Sequence, residues 1–463
     1  MTSPRQSLLE VTGALSGCAD NARFDFGENT ALVAVQHMLY QTVDLFRAAE
    51  EMGLRPENIF ALGKVYSNSA PVIAALRHMG VTVVESTFPQ LGEFDESFEQ
   101  DITRLWETVA QQLSHRHIKR ILVLDDGGKC ITNIPRDVLR CYEVVGIEQT
   151  SQGMFVFEET SPPLAVISWA RAAVKLQIGG HIFSQCLIDK LQTEFLRGGS
   201  LDGVDIGIIG LGSIGRGLAD IASRQDARVE FYDPDPNLEV PRCLRDRVTR
   251  LDSLEELMLR SEYLLGSSGR NPFKDKWPMA HRPDIKLFSG SGGDQEFGPI
   301  IRDLRNRASF RVAKDTWDLT SDDGPCGPIR IAYLGFPYNF VSRAEEAVPT
   351  RIVQLETGGL LASLIQARNY LTLVENGCAK NSGIHRVSPG LQQLVLEIWL
   401  DALQYHGIDI RKLYGWDRAQ LARVYDDDWF DEYSEPGPAE DGSTERVEAL
   451  ARSILEQCLR AAP

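Results

Sequence analysis

The sequence predicts an α/β protein of two domains, each built on a mainly parallel sheet. Two observations predict this class: short apolar runs alternate with amphipathic segments through roughly the first 170 residues, and the alternation begins again at Val204. Apolar runs between helices are typical of parallel strands that helices cover on both faces. A length of 463 residues is enough for two or three domains with separate cores.

The elements of the first domain follow from the order of these runs. The predicted strands are 31–35, 58–62, 81–84 and 120–124, and the predicted helices are 39–52, 71–79 and 94–113. Asp125 and Asp126 come directly after the fourth strand and are followed by two glycines. Ligands of parallel sheets bind outside the carboxyl ends of the strands, so this turn is a candidate site. The alternative is that the two acids only cap a turn, since Asp-Gly is a common turn dipeptide.

The second domain carries the most specific motif of the chain. An apolar strand, 204–209, is followed by Gly210-Leu-Gly212-Ser213-Ile214-Gly215 and then by a helical pattern that extends to Arg224. The first glycine allows a tight turn, the second lets the backbone approach a pyrophosphate, and the third permits close packing of the helix on the strand. The amino terminus of the helix, at Ser213 and Ile214, presents N–H groups to the phosphates. This pattern predicts a Rossmann-like lobe that binds a dinucleotide.

The residues around the glycine loop predict which dinucleotide is bound. Asp233 ends the next strand, about 20 residues after the glycines, where a carboxylate accepts hydrogen bonds from the adenosine ribose and repels a 2′-phosphate. The cofactor is therefore predicted to be NAD rather than NADP. Ser267 and Ser268 follow the fourth strand of this lobe and are predicted to border the nicotinamide side. The alternative is a Rossmann-like unit that binds no nucleotide.

Two long helical patterns, 170–196 and 350–373, bracket this second lobe. They look like the paired interdomain helices of a two-domain dehydrogenase, with a small-molecule substrate in the cleft between the lobes. The predicted domains are a substrate lobe (1–183), an NAD-binding lobe (184–348), and a return helix with a helical carboxy-terminal extension (349–463). The stretch 425–443 is acidic and interrupted by Pro and Gly, which predicts a surface loop before a last helix, 445–460.

The composition excludes several classes of partner. The chain has 48 Lys+Arg and 65 Asp+Glu, a formal net charge of −17, which disfavours nucleic acid and anionic membranes. No apolar run approaches the roughly 18–20 residues of a membrane-spanning helix, and the amino terminus does not resemble a signal peptide. The histidines lack His-Glu-x-x-His spacing, so no metal site is predicted. The expected location is the cytoplasm.

Several blocks of sequence together resemble the S-adenosylhomocysteine hydrolase family over most of residues 30–370. The blocks are Gln36-His37-Met38, Leu124–Gly128, Gly146–Gly153, the glycine loop and Ser289–Glu296. In that family, tightly held NAD⁺ transiently oxidises a nucleoside hydroxyl so that a thiol can be eliminated. The resemblance implies a homo-oligomer, dimer or tetramer, and cofactor contacts by Thr150 and Ser151.

The resemblance also points to four catalytic candidates. His37 and either Asp125 or Asp126 would handle protons, and Lys175, which matches one lysine of the family's active site, would stabilise an alkoxide. The alternatives are a core histidine held by backbone groups and a lysine on a helix surface. Other family positions are replaced, and the replacing residues are Gln149, Ala173, Gln177, Ile178, Gly292 and Tyr333. Normal hydrolysis of S-adenosylhomocysteine is therefore not expected.

The predicted function is an NAD-dependent enzyme that oxidises a secondary alcohol of a nucleoside-like or other small polar substrate. One alternative is a catalytically silent NAD-binding sensor or partner protein, which the replaced polar residues favour. The other is a D-2-hydroxyacid-dehydrogenase-like oxidoreductase. It ranks lower, because that class normally has an arginine after the fourth or fifth strand and a late catalytic histidine. Here the matching loop is 289–293, without arginine, and the late histidines are His385 and His406.

Overall fold

A computed structural model describes residues 8–21, 24–87, 91, 93–274, 277, 279–340, 348–414 and 421. The chain divides into two compact units: unit 1 consists of Met1–Ser86, Glu99–Gln177 and Arg343–Pro463, and unit 2 of Thr87–Phe98 and Ile178–Ser342. The predicted acidic loop 425–443 and last helix 445–460 lie outside the described residues. Within the described ranges, no helix is both long and apolar enough to cross a membrane.

The strands of the described part of the chain, in order, are β1 (Thr30–Met38), β2 (Ile59–Asn68), β3 (Thr82–Val84), β4 (Arg120–Asp125), β5 (Glu143–Glu148), β6 (Val166–Ser168), β7 (Asp205–Ile209), β8 (Arg228–Tyr232), β9 (Val248–Arg250), β10 (Tyr263–Gly266), β11 (Ile285–Ser289), β12 (Arg311–Val312), β13 (Leu319–Gly324), β14 (Gly327–Ile331) and β15 (Ile384–Arg386). Each run that was predicted as a strand forms one of them.

The α-helices are α1 (Glu10–Asn21), α2 (Tyr40–Glu51), α3 (Ala70–Met79), α4 (Phe94–Leu113), α5 (Lys129–Thr132), α6 (Arg136–Cys141), α7 (Ser151–Glu159), α8 (Gly180–Lys190), α9 (Ser213–Arg224), α10 (Leu254–Arg260), α11 (Gly298–Leu304), α12 (Thr350–Glu375), α13 (Pro389–Tyr405) and α14 (Ile410–Tyr414). Short 3₁₀ turns occur at Pro56–Asn58 and Tyr338–Phe340, and the turn Ala332–Gly335 has left-handed backbone at Tyr333 and Leu334.

Unit 1 is built on a seven-stranded sheet in the order β15-β6-β5-β4-β1-β2-β3, and each pair of neighbours is parallel. The central strands are buried along almost their whole length, as the continuous apolar runs predict. Helix α12 packs on β4, β5 and β6. A Cβ on Gly359 would stand 2.0 Å from the Trp169 ring, so the glycine lets α12 approach this indole.

Unit 2 is built on an eight-stranded sheet in the order β12-β13-β14-β11-β10-β7-β8-β9. The strands from β14 to β9 are parallel, and β12 and β13 form an antiparallel edge. The parallel strands have the order 3-2-1-4-5-6 of dinucleotide-binding folds, which places the ligand where the order reverses, at the carboxyl ends of β7 and β10. Both units are α/β layers on parallel sheets, which confirms the predicted fold class.

One predicted element differs from the structure. The pattern 170–196 predicts a single long helix, but π-helical turns at Lys175–Gly179 and Leu191–Phe195 flank the shorter helix α8. A π turn accommodates an extra residue and shifts the helical face. An apolar period of 3.6 residues does not reveal such a shift, so the regular helix is wrong at both ends.

Candidate functional site

The loop after β7 has the geometry of a dinucleotide-binding turn. Gly210 has a φ of +87°, and a Cβ there would stand 2.9 Å from the Ser268 Cα. A Cβ on Gly215 would stand 2.0 Å from the Gly210 carbonyl oxygen, so helix α9 approaches β7 only without a side chain. A Cβ on Gly212 would meet no atom within 4 Å. The space beside Gly212 is therefore open, as the close approach of a pyrophosphate requires.

The start of helix α9 lies on helix α8. Ser184 Oγ donates a hydrogen bond to the Ile214 carbonyl oxygen at 2.8 Å, and a Cβ on Gly180 would stand 1.9 Å from Ser213 Oγ. These contacts fix the first turn of α9, where the predicted residues Ser213 and Ile214 are found. A fixed helix amino terminus presents N–H groups and the positive end of the helix dipole to an anion.

Asp233 lies beside the glycine loop, as predicted. Its Oδ2 accepts a hydrogen bond from the Leu211 N–H at 2.8 Å, and its Oδ1 accepts one from the Asp235 N–H at 3.0 Å. Each carboxylate oxygen has a second lone pair for a ribose hydroxyl. The glycines, the start of α9 and this acid together fit an adenine dinucleotide without a 2′-phosphate.

Ser267 and Ser268 join the loop after β10 to its surroundings in unit 2. Ser267 Oγ donates to the Gly210 carbonyl oxygen at 2.8 Å, which ties this loop to the glycine turn. Ser268 donates to Glu296 Oε1 from its backbone N–H at 2.6 Å and from its hydroxyl at 2.8 Å. Burial raises the pKa of Glu296 to about 7, although these donors act in the opposite direction. Glu296 ends the block Ser289–Glu296, and the sequence predicted no role for it.

A second polar cluster lies at the carboxyl end of the sheet of unit 1. Strands β1 and β2 pair as far as Gln36, and the pairing resumes at Met38, opposite Asn68. His37 of β1 therefore faces the four residues 64–67 of β2, which form a bulge. Bulges are over-represented beside active sites because they re-aim side chains. This bulge places Lys64 and Ser67 around the predicted histidine.

His37 contacts a hydroxyl and a carboxylate. Its Nδ1 lies 2.6 Å from Ser67 Oγ, and its Nε2 lies 3.3 Å from Asp126 Oδ2. Burial lowers the pKa of His37, Asp126 raises it in part, and the positive charges of Lys64 and Lys175 lower it again. The imidazole is therefore neutral near pH 7 and able to accept a proton.

Asp126 is the centre of this cluster. Its Oδ1 accepts a hydrogen bond from Lys64 Nζ and its Oδ2 one from Gln149 Nε2. Burial acts to raise the pKa of Asp126, but Lys64 and His37 outweigh it and hold the pKa below its usual range. Burial likewise acts to lower the pKa of Lys64, but Asp126 outweighs it and raises the pKa. The pair stays ionised although Lys64 and Asp126 are only 2% and 3% exposed.

Gln149 is fixed by its neighbours. Its Oε1 accepts a hydrogen bond from Gln36 Nε2 at 2.8 Å, so its amide NH₂ faces Asp126. A glutamate at this position would place a second negative charge against Asp126. The amide instead supplies a donor, which stabilises the ionised form of Asp126.

Asp125 and Glu148 support the turn after β4. Asp125 Oδ2 accepts a hydrogen bond from the Ile131 N–H at 2.8 Å, while its buried Oδ1 has no hydrogen-bond partner among the described residues. Glu148 accepts hydrogen bonds from the N–H groups of Gly127 and Gly128 at 3.2 and 2.9 Å. Burial raises the pKa of Asp125 to about 7 and that of Glu148 well above its usual range. Of the two predicted aspartates, Asp126 is the one that contacts His37.

Thr150 caps helix α7, which begins at Ser151. Its Oγ1 accepts a hydrogen bond from the Gly153 N–H at 3.0 Å and donates one to Glu148 Oε1 at 2.6 Å. Both hydrogen-bonding directions of the Thr150 hydroxyl are therefore used inside unit 1. The cofactor contacts of Thr150 and Ser151 had been implied by the resemblance alone.

Lys175 pairs with a buried acid. Its Nζ donates to Glu356 Oε2 at 2.7 Å, and Trp169 Nε1 donates to the same oxygen at 2.9 Å. The Lys175 side chain is 21% exposed, so it is not a freely solvated surface lysine. Its positive charge acts on the pKa of His37, which places the two side chains in one electrostatic environment.

Three residues of this cluster were not predicted from the sequence: Lys64, Ser67 and Glu356. A lysine inside the apolar run that begins at Ile59 is a signal that was available, because a buried charge inside a sheet requires a partner. Ser67 carried no such signal, since its position depends on the length of the bulge. Glu356 lies in the long helix α12, where an acidic residue is unremarkable until its burial is known.

Comparison with known proteins gives one family match. Residues 184–271 match the model of the D-isomer specific 2-hydroxyacid dehydrogenase, NAD binding domain. Together with the fit of the glycine loop and Asp233, this match identifies NAD as the cofactor. Unit 2 thus carries an NAD-binding domain like that of the D-2-hydroxyacid dehydrogenases.

Two curated relatives are uncharacterized proteins of two strains of Mycobacterium tuberculosis. Each is 28% identical to this chain over 324 residues, which is 68% of this chain and 59% of the relative. The chain therefore spans less than two thirds of the length of these relatives.

Solved structures similar to this chain include a glyoxylate reductase from Paecilomyes thermophila and an NAD⁺-bound 3-phosphoglycerate dehydrogenase from Entamoeba histolytica. The first is 14% identical with a TM-score of 0.32, and covers 77% of this chain and 98% of its own. The second is 12% identical with a TM-score of 0.35, and covers 76% of this chain and 98% of its own.

The family match contradicts the resemblance to S-adenosylhomocysteine hydrolase. The NAD-binding residues 184–271 match the D-2-hydroxyacid dehydrogenases instead. The resemblance was wrong because its blocks lie at strand ends, where glycine loops, Asp-Gly turns and cofactor-facing residues recur in many α/β proteins. The alternative that ranked lower in the sequence analysis is the better supported one.

Proposed function

We propose that the protein is an NAD-dependent oxidoreductase of the D-2-hydroxyacid-dehydrogenase type, acting on the secondary hydroxyl of a small polar substrate. The observation that carries this proposal is the glycine loop of unit 2, with its open space at Gly212 and Asp233 beside it, in a region that matches that family's NAD-binding domain. A 2-hydroxy acid is the first substrate class to test.

Oxidation of an alcohol removes a hydride and a proton. Bound NAD⁺ supplies the hydride acceptor. The proposed proton acceptor is Nδ1 of His37, which its environment keeps neutral. The Ser67 hydroxyl, 2.6 Å from Nδ1, gives its proton to this nitrogen and takes the proton of the substrate hydroxyl in exchange. A general base of this kind contributes about 10²–10⁴-fold to a rate.

Asp126 and Lys64 support His37 in this mechanism. When His37 gains a proton, Asp126 at 3.3 Å from Nε2 stabilises the imidazolium. Lys64 keeps Asp126 ionised and the Gln149 amide donates a hydrogen bond to it, so the carboxylate does not take the proton itself. Lys175 opposes protonation of His37 and so favours return of the proton. Asp125 is assigned a structural role at the turn after β4.

The proposal is tested by NADH formation at 340 nm with a panel of 2-hydroxy acids, then nucleosides and other secondary alcohols. We expect turnover with at least one 2-hydroxy acid, and a loss of about 100-fold or more in His37→Gln. The matched control is His78→Asn, because His78 is an exposed histidine of the same unit. Thermal unfolding of both variants shows whether the fold is kept.

A catalytically silent NAD-binding protein is the second candidate function. The dehydrogenases normally have an arginine after the fourth or fifth strand; here the loop after the fifth strand, 289–293, has none, and the loop after the fourth strand, β10, has the exposed Arg270. Binding of NAD without turnover of any panel substrate would support this candidate and contradict the enzyme proposal. Equal turnover in the wild type and His37→Gln would contradict the assigned role of His37.

A further inference from the structure

Glu296 is a buried carboxyl group between two loops of the NAD-binding unit. Its Oε1 accepts two hydrogen bonds from Ser268, and its Oε2 accepts one from Ser289 Oγ at 2.9 Å. A Cβ on Gly266 would stand 2.3 Å from Glu296 Oε2, so the carboxyl packs on the backbone at the end of β10. The group therefore lies at the carboxyl ends of β10 and β11.

One of these two loops, the loop after β10, also contacts the glycine turn. Ser267 is hydrogen-bonded to the carbonyl oxygen of Gly210, and a Cβ on Gly210 would touch the Ser268 backbone, so the loop that binds Glu296 also contacts the glycine turn. Ligands of doubly wound sheets bind at this edge, at the point where the strand order reverses. The pyrophosphate is expected at the glycine turn, and the nicotinamide half beyond it, over β10 and β11.

The two redox forms of the cofactor differ by one charge in this half. The nicotinamide ring of NAD⁺ is positively charged, whereas that of NADH is neutral. A buried carboxylate close to the ring therefore interacts more favourably with NAD⁺, and burial weakens screening by salt. We propose that Glu296 sets the preference of the protein for oxidised over reduced NAD. This inference rests on NAD binding by unit 2 and does not require catalytic activity.

The charge of Glu296 changes within the ordinary pH range, because burial raises its pKa to about 7. Above that pH the carboxylate is present and favours NAD⁺; below it the neutral acid makes no such distinction. Binding of NAD⁺ therefore releases protons from Glu296, and binding of NADH does not.

Other charged groups lie around this loop, so the experiment needs a control for their effect on the pH dependence of NAD binding. Asp294 is also buried; burial and the negative charge of Asp95 raise its pKa to about 6, and Arg302 lowers it in part. Arg270, on the loop after β10, is exposed. Asp294 is thus the competing source of a pH effect, and it lies two residues from Glu296 without contacting Ser268 in the described hydrogen bonds.

The experiment measures the dissociation constants of NAD⁺ and NADH by calorimetry between pH 5.5 and 8.5. In the wild type we expect the ratio of the NADH constant to the NAD⁺ constant to rise roughly tenfold across this range, which corresponds to about 1.4 kcal/mol of attraction between the carboxylate and the charged ring. In Glu296→Gln the ratio should stay at its low-pH value. In Asp294→Asn it should rise as in the wild type.

A second variant keeps the inference testable if Glu296→Gln does not fold. Ser289→Ala removes one donor to the carboxylate, so the pKa of Glu296 rises and the change in the ratio moves to higher pH. Two results would overturn the role of Glu296. In one, the wild type binds both nucleotides but the ratio of their dissociation constants does not change with pH. In the other, the ratio rises in Glu296→Gln as much as in the wild type. Failure of the wild type to bind either nucleotide would instead overturn the NAD-binding function.

Discussion

The two candidate sites differ in what they are made of. The site of unit 2 is built from backbone: glycines that leave space, a helix start, and one acid that accepts a backbone hydrogen bond. The site of unit 1 is built from side-chain charges that neutralise each other in a buried bulge. The site of unit 2 is therefore expected to be disrupted when side-chain atoms are added to a glycine. The site of unit 1 is expected to be disrupted when one charge is removed.

The largest expected effect tests the charged site of unit 1. Lys64→Met leaves the buried Asp126 carboxylate without its cation, which should lower the free energy of unfolding by about 3–5 kcal/mol. The double variant Lys64→Met/Asp126→Asn should recover most of this loss, because no charge is left unpaired. Urea unfolding of the two variants measures the difference. Equal stabilities would show that the pair is not coupled.

The backbone site of unit 2 is tested by the addition of one methyl group. In Gly212→Ala the new Cβ meets no protein atom within 4 Å, so the melting temperature should stay unchanged while NAD affinity falls roughly 100-fold. Gly17→Ala is the matched control, because a Cβ on this exposed helical glycine also meets nothing. Unchanged NAD affinity in Gly212→Ala would contradict binding at this loop.

The pH dependence of the free energy of unfolding tests a buried carboxyl group of unit 1, that of Asp125. The folded protein raises the pKa of Asp125 to about 7, so folding binds a proton, and stability is lost as pH rises from about 4 towards 7. Asp125→Asn removes this loss and should be more stable than the wild type at pH 7.5, by about 2 kcal/mol, but not at pH 4.5. The exposed Asp137→Asn is the control in the same urea titrations. If the free energy of unfolding of Asp125→Asn changed with pH as that of the wild type does, the raised pKa would not belong to Asp125.

The smallest effect concerns Thr150, the cap of helix α7. Thr150→Ala should cost about 1 kcal/mol of stability, because the cap of the Gly153 N–H is lost. NAD affinity should remain that of the wild type, since the hydroxyl already serves two partners inside unit 1. A clear loss of NAD affinity in a folded Thr150→Ala protein would restore the cofactor contact that the sequence analysis expected.

The sequence predicted the backbone site far better than the charged one. Gly210, Gly215 and Asp233 are visible in sequence because local chain geometry requires those residue types at that spacing. Lys64 and Ser67 reach His37 only through a bulge whose length depends on the pairing of two strands. No local pattern encodes that pairing.

The strands and helices were predicted from apolar periodicity, and the structure confirms most of them. The π turns that flank α8 were not, because they change the helical period without changing composition. The family resemblance failed for a related reason. A short motif at a strand end identifies a type of backbone turn, and the same turn occurs in proteins with many unrelated activities.

The bulge in β2 also bears on how such a protein can change over evolution. β1 and β2 keep their register up to Gln36, so a bulge of another length would leave the pairing of the preceding residues in place, provided that Lys64 is kept as the partner of Asp126. Residues of new chemistry can enter beside His37 without a new fold. Homologues with bulges of other lengths are accordingly expected to carry other side chains beside His37.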